Sequence, residues 1–434
     1  MSSATAATLS SLRQPTIPCG TTASSRRWQL LALCAWGLVG MVLGARLGML
    51  PYERSVLDEY AFGPASWWSD DVFVYETTIH YLYTPTFTVC YSLIWMWPPG
   101  VAAILWTMLN LCSLYAGLRA LNQRLLPVVF AGWGPREQAC LQLLALWGCF
   151  RGMWSGQANA LVAGLACLAA VAIYQRQWWR AALWLTLPVF IKIWPVALLL
   201  LFVAAFPRQL AWRLAALFAA FAALPWFTRD WAFVMRQHVG YVDMLLHRRQ
   251  QIRLHGYRDF WTIWEQFATP VPAAYQVLQI ASGLGLAYAA LHWAKRANDP
   301  VNRASMVLRV TALWACWQLL LGPGSERLTL GICAPFAAVA LIAGWGRGVA
   351  SWSYGVALAA WCGLFVLGLG EIERALARVT HPAVQAIAPG GVILLALWWL
   401  FWNLPGDQPR PASLKQLPDR TAAVDQGNRT PAVV

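Results

Sequence analysis

The sequence predicts an all-α polytopic membrane protein: a helical bundle of about ten full spans, one short proline-broken hairpin and large external loops. Three observations carry that prediction. Hydrophobic residues make up 59% of the 434 and charged residues 12%, with a mean hydropathy of +0.50, which is too apolar for a water-soluble globule. Apolar runs of roughly 20 residues recur along the chain, the length at which a helix crosses about 30 Å of hydrocarbon. The basic residues behind the net charge of +14 sit mostly in short clusters between those runs, where they act as topology signals and not as a nucleic-acid surface. The 28 tryptophans, many near predicted span ends, fit an interfacial aromatic belt. Ten cysteines without CxxC spacing read as small core hydrophobes, and six dispersed histidines without HxxxH spacing give no expected metal site.

In chain order, residues 1–27 are Ser, Thr and Ala-rich and are expected to be a disordered cytoplasmic arm. Arg26 and Arg27 precede the first span, about 28–50, and set the N-terminus inside. Residues 51–99 form an external segment that holds six of the chain's 18 acids between Glu53 and Glu76. Its apolar piece Thr84–Trp97 is short for a crossing and is expected to lie along the surface or to re-enter. Spans follow at about 100–118 and 137–150, then the tight external turn from Arg151 to Asn159, then a span returning before Arg176. Beyond the hairpin come spans near 212–227, 272–293, 306–321, one ending near Trp345, and a last pair near 349–369 and 386–403. The integral membrane domain is thus 28–403, and the polar tail 404–434 is expected to be disordered and cytoplasmic.

The hairpin is the stretch from Ala181 to Phe206, where a single Lys192 stands in an otherwise apolar run between Pro188 and Pro195. A lysine at membrane depth costs roughly 2.5 to 3.5 kcal/mol even on mild insertion scales, so it should meet a cavity, a partner charge or a ligand. Each proline removes a backbone donor and is expected to interrupt a helix. Both flanks of the run are basic, Arg176 and Arg180 before it and Arg208 and Arg213 after it, so the run must enter and return with Lys192 at the outer side. A structural lysine that snorkels or forms an ion pair would read the same way.

The cytoplasmic loops are short, whereas the acids and the unusual arginines collect outside. The segment 228–271 breaks the positive-inside pattern with Arg229, Arg236, Arg248, Arg249, Arg253 and Arg258, which suit an anionic ligand or lipid headgroups. A membrane enzyme that takes a sugar from a lipid-linked phosphate needs a carboxylate to deprotonate the acceptor and cations for the departing phosphate. A lipid-phosphate flippase or transporter would use the same cations without an external carboxylate. Each candidate also has a purely structural reading. Asp70 and Asp71 can cap a helix starting near Val72, Gln157 and Asn159 can bond between helices, and Glu326 can pair locally with Arg327.

Four short motifs on the same predicted side carry a resemblance. Asp71-Val-Phe-Val-Tyr75 and Tyr83-Thr-Pro85, leading through Trp97-Pro-Pro99 to Trp106, resemble the D-x-x-V-Y and Y-x-P segments of family 87 glycosyltransferases, of the polytopic GT-C class. Gly156-Gln-Ala-Asn159 and Ile191-Lys-Ile-Trp-Pro195 resemble that family's G-Q-x-N and K-x-x-P segments, and Gly322-Pro-Gly-Ser-Glu-Arg-Leu-Thr329 resembles a late external turn of bacterial members. The resemblance covers about residues 70–345, with a compressed stretch between Tyr75 and Tyr83. It implies a GT-C-like fold; the expected location is a bacterial inner membrane, with both termini cytoplasmic by the charge pattern and the span count. It further implies inverting transfer of a hexose, commonly mannose, from a polyprenyl-phosphate sugar to an extracytoplasmic lipid or glycan acceptor, with no nucleotide sugar. No cofactor is expected, because the lipid-linked donor is itself a substrate. Asp71, or the adjacent Asp70, matches the base. Lys192, Arg151 and Arg327 are the candidates for the donor phosphate, and Tyr75, Gln157, Asn159, Arg258 and Glu326 for the remaining substrate contacts.

Overall fold

Prolines and cap residues decide where most of the helices begin. The computed structural model describes residues 23–69, 74–77, 81–247, 272–322 and 327–345, together with Phe260, Gly355, Leu358, Leu397, Phe401 and Trp402. Helix α1, Ala23–Met49, starts a few residues ahead of the expected Trp28 and carries the Arg26–Arg27 pair in its first turns. The acid-bearing segment after it folds into α2 (Leu57–Trp67), a single turn α3 (Val74–Thr77) and α4 (Pro85–Trp95). Thr84 caps α4 by accepting from the Phe87 N–H at 3.1 Å, and Pro85 takes the first helical position, where no N–H is needed. At 11 residues, about 16 Å, α4 is too short to cross a bilayer, as its sequence implied.

The next helix, α5 (Pro99–Ala120), does not stop near Leu118. It runs through a π-helical turn, Leu121–Leu125, into α6 (Leu126–Val129), giving one apolar unit of 31 residues. Asn122 sits in that turn, with its amide donating to the Gln138 carbonyl and its Oδ1 accepting from the Trp133 indole, both at 3.0 Å. Helix α7, Pro135–Trp154, starts where Glu137 reaches back to the Gly134 N–H at 3.0 Å, and it continues past the expected Phe150. Arg151 therefore belongs to its last turn and not to a free loop. Helix α8, Asn159–Tyr174, comes next and is almost wholly buried.

Helices α9 (Trp178–Ile191) and α10 (Val196–Ala205) form the expected hairpin. The start of α9 and the end of α10 meet, with the Trp178 and Phe206 rings 5.3 Å apart, so the chain returns to the side it left. Pro188 is not where the helix breaks. It lies inside α9, which runs one turn further before Lys192 turns extended at φ −140 and ψ 130. Beyond the hairpin come α11 (Pro207–Ala223), which tightens into a 3-10 turn at Leu224–Phe227, and α12 (Trp231–His247). The first part of the expected external loop is thus a helix, which buries Phe233, Val234, Gln237, Tyr241 and Met244 and leaves Trp231, Val239 and Leu246 exposed. Helices α13 (Pro272–Arg296), α14 (Pro300–Leu321) and α15 (Ala334–Trp345) complete the described chain, α15 preceded by a 3-10 segment, Arg327–Cys333.

Six of these units are long and apolar enough to cross a membrane: α1, α5 with α6, α11 with its 3-10 turn, α13, α14, and the stretch Leu328–Trp345. Three shorter apolar helices, α8, α9 and α10, pack among them, and the described residues contain no strand. The protein is an all-α integral membrane protein. Helix α14 is buried over 89% of its most apolar window and α11 over 17%, so α14 lies within the bundle while α11 offers most of its surface to lipid. Helix α8 packs directly on α5 through small residues. A Cβ on Gly164 would stand 2.3 Å from the Ser113 carbonyl oxygen, so only glycine admits this approach.

Several expectations lie outside the described residues. They are the ends 1–22 and 404–434, where disorder was expected, Asp70, Asp71, Arg258 and Glu326, the Arg327 side chain, and the arginines at 248, 249 and 253. The last pair of spans lies outside as well, apart from five isolated positions: Gly355, Leu358, Leu397, Phe401 and Trp402.

Candidate active site

The G-Q-A-N turn is built around Gly156, whose φ of +71 is open to glycine and strained for other residues. Its carbonyl accepts from the Trp106 indole at 2.7 Å. The first amides of the following helix also have partners. The Ala158 N–H donates to the Tyr60 hydroxyl at 3.2 Å, and the Leu161 N–H to Asn110 Oδ1 at 3.1 Å. The turn is thereby fixed from α2 and α5 at once, and Gln157 and Asn159 are buried, at 4% and 2% exposure.

Asn159 stands at the centre of the site. Its amide nitrogen donates to the Leu328 carbonyl at 3.0 Å and to Gln157 Oε1, which turns Oδ1 the other way. Lys192 donates to that oxygen at 3.2 Å. The G-Q-x-N and K-x-x-P motifs, 33 residues apart in sequence, therefore meet in one chain of hydrogen bonds backed by the 3-10 segment that begins at Arg327. The acceptor that Asn159 offers to the ammonium is a neutral amide oxygen and not a carboxylate. Trp194 fixes the other side of the break by stacking on Trp314, with centroids 5.9 Å apart and planes at 26°.

The acid-bearing segment is fastened to the same place. Tyr75 is 2% exposed, and its hydroxyl donates to the Tyr83 carbonyl at 2.5 Å. The next residue, Thr84, donates to the carbonyl of Phe190, two residues before Lys192. Tyr81 shares a 2.8 Å hydrogen bond with Thr88. Burial raises the phenol pKa of both Tyr75 and Tyr81, so both stay neutral and keep their protons for these bonds. Tyr60, Tyr75, Tyr81, Tyr83, Phe87, Tyr91, Trp106 and Tyr241 form one buried aromatic cluster behind the turn, and α12 packs on it through Tyr241 and Gly240.

Of the residues expected from sequence, Gln157, Asn159 and Lys192 are joined directly, and Tyr75 is joined to them through Tyr83, Thr84 and Phe190. Arg151 is half-buried in the last turn of α7, three residues before Trp154. Arg46 was missed. It ends the first long helix, donates to the Trp154 carbonyl at 2.9 Å and to the Glu53 carbonyl, and lies 5.1 Å from the Trp154 ring centroid. One cue was legible in advance: a lone arginine near the end of the first span, opposite the predicted turn. Of the arginines in the segment 228–271 whose side chains are described, Arg229 stacks over Phe233 at 4.6 Å and Arg236 lies on α12.

The sequence pattern of glycosyltransferase family 87 matches residues 81–323, more than half of the chain. The protein belongs to glycosyltransferase family 87. That stretch runs from Tyr81 to the turn after α14, and so contains the Tyr83–Thr84 anchor, the G-Q-A-N turn and the Lys192 break. No curated protein and no solved structure matches the chain. Membership in the family decides between the two functional classes left open by the charges alone: the protein is a membrane glycosyltransferase, with a sugar donor and an acceptor as its substrates.

Proposed function

We propose that this family 87 glycosyltransferase moves a hexose, mannose in the first instance, from a polyprenyl-phosphate sugar to a lipid or glycan acceptor on the extracytoplasmic side of a bacterial inner membrane. The donor phosphate sits against Lys192, with Arg151 and Arg327 as further cations. Asp71, or Asp70 beside it, takes the proton of the acceptor hydroxyl as its oxygen attacks the anomeric carbon. The bond from that carbon to the phosphate oxygen breaks, the phosphate leaves with the electron pair, and the configuration inverts. Tyr75, Gln157, Asn159, Arg258 and Glu326 serve the substrates or the groups that hold them.

One observation supports this most. Tyr75, four residues after Asp71, is bonded to Tyr83, and the neighbouring Thr84 is bonded to Phe190, two residues before Lys192. Tyr75 and the Tyr83–Thr84 pair, which follow Asp71 in the chain, are thus tied to the lysine break. The test is release of polyprenyl phosphate by the full chain in nanodiscs supplied with polyprenyl-phosphate mannose and a lipid extract. Loss of the base should lower that rate by roughly 10²- to 10⁴-fold. Loss of one preorganised cation, in Lys192→Met, should lower it by about 10²- to 10³-fold. Unchanged release in both Asp70→Asn and Asp71→Asn would refute the assignment of the base.

A further inference from the structure

A cavity of about 210 Å³ opens beside this site, between the chain leaving α1, α2, α4 and the start of α5. Four aromatic side chains line it: Tyr52, Tyr91, Trp95 and Trp97. Tyr52 and Trp97 stand at its rim, 45% and 53% exposed, while Tyr91 is 4% exposed and forms part of its floor. Among the described residues none of their four polar atoms, two phenol oxygens and two indole nitrogens, has a hydrogen-bond partner. None of the four is sealed from solvent, so a ligand's hydroxyls can replace water at them. The nearby Trp68 indole is instead engaged by the protein, donating to Ser92 at 2.9 Å.

We infer that this cavity binds a pyranose ring of the acceptor glycan. The inference rests on the transferase reading above and adds a second site to it. The volume equals about seven water molecules, enough for a single sugar ring and too short for an extended polyprenyl chain. A pyranose has an apolar C–H face and a rim of hydroxyls, and the cavity offers aromatic faces with unengaged donors and acceptors in the same pattern. A quaternary ammonium headgroup would also suit the rings but has no use for the polar atoms. The cavity is coupled to the G-Q-A-N turn by two contacts. Tyr91 lies edge-on to Trp106 at 5.4 Å, and Trp106 holds the Gly156 carbonyl. Leu57 lines the cavity and also sits where a Cβ on Gly156 would reach within 2.9 Å of its Cγ.

Saturation-transfer NMR on the full chain in nanodiscs, with methyl α-D-mannopyranoside as probe and no donor lipid present, tests this. The expected result is saturable transfer to the ring C–H protons. Trp97→Ala should weaken binding about tenfold and Tyr91→Phe, which removes only the hydroxyl, about fivefold. The thermal midpoint of Trp97→Ala should match that of the parent, since the ring is half in solvent. Transfer that is absent, that is equal in parent and Trp97→Ala, or that phosphocholine abolishes at lower concentration than the hexoside would overturn the assignment. The donor reading fails separately: hexoside binding that persists while polyprenyl-phosphate mannose is never turned over would leave the cavity standing and the proposed donor wrong.

Discussion

Asn159 shows how the two ends of one buried amide are sorted between partners. Its two N–H donors face the Leu328 carbonyl and Gln157, so its oxygen is committed to Lys192. Asn159→Asp keeps the shape but places a carboxylate against the ammonium and an acceptor against the Leu328 carbonyl. The resulting ion pair competes with any phosphate for Lys192, so KM for the lipid-phosphate donor should rise about tenfold or more, in line with a charge-assisted bond of roughly 1.5 to 3 kcal/mol. Steady-state kinetics check this, and an unchanged KM would remove Lys192 from donor binding. Gly156 makes a second residue-scale prediction. An alanine there adopts a strained positive φ, and its Cβ meets Ser55 Oγ at 2.8 Å and Leu57 Cγ at 2.9 Å. Gly156→Ala should destabilise the protein by about 2 kcal/mol or more, seen as a lower thermal midpoint in detergent.

At the scale of elements, one side chain both starts α4 and ties it to another helix. The Thr84 hydroxyl accepts from the Phe87 N–H and donates to the Phe190 carbonyl, so it both starts α4 and joins it to the end of α9. Thr84→Val is nearly isosteric and removes both functions. The lost cap is worth about 1 kcal/mol. The lost tether should loosen the segment around residues 70–84, giving faster proteolysis there and slower transfer, whereas Thr84→Ser should restore both. This tether was not legible in the sequence, although the motif residues around it were, because a hydroxyl bonded across 106 residues has no local signature. The hairpin was legible for the opposite reason, since flanking charges and two prolines act locally. Even so, Pro188 was misread. A proline in the last turn of a helix forfeits one bond near an end that is already short of partners, so α9 passes through it. The helix of residues 231–247 was hidden by the arginine-rich segment 228–271 it opens, which read as loop, although its buried residues recur at helical spacing.

Over the whole molecule, the chain's polarity is uneven. The end that carries the site is assembled from α2, α3, α4 and α12 around the aromatic cluster, and contacts there join pieces of chain more than 100 residues apart. The sequence pointed to this end, because acids and odd arginines collected on one predicted side, but pairwise contacts across such distances depend on packing that no short window encodes. This assembly should respond to pH through His238. Its ring stacks on Trp226 at 4.6 Å, its Nδ1 pairs with the Val234 carbonyl, and it joins the end of α11 to α12. Burial lowers its pKa below the ordinary 6.5, an effect larger than the opposing backbone bond. Below pH 6.5 the unfolded chain therefore takes up a proton that the folded chain resists. The stability associated with a neutral His238 is fully present above that pH and is lost as pH falls through the lower folded-state value. The thermal midpoint should thus drop between about pH 7 and pH 5, and His238→Phe, which keeps the stack and cannot be protonated, should drop less. Equal drops in the two proteins would show that the acid sensitivity lies elsewhere than at the α11–α12 junction.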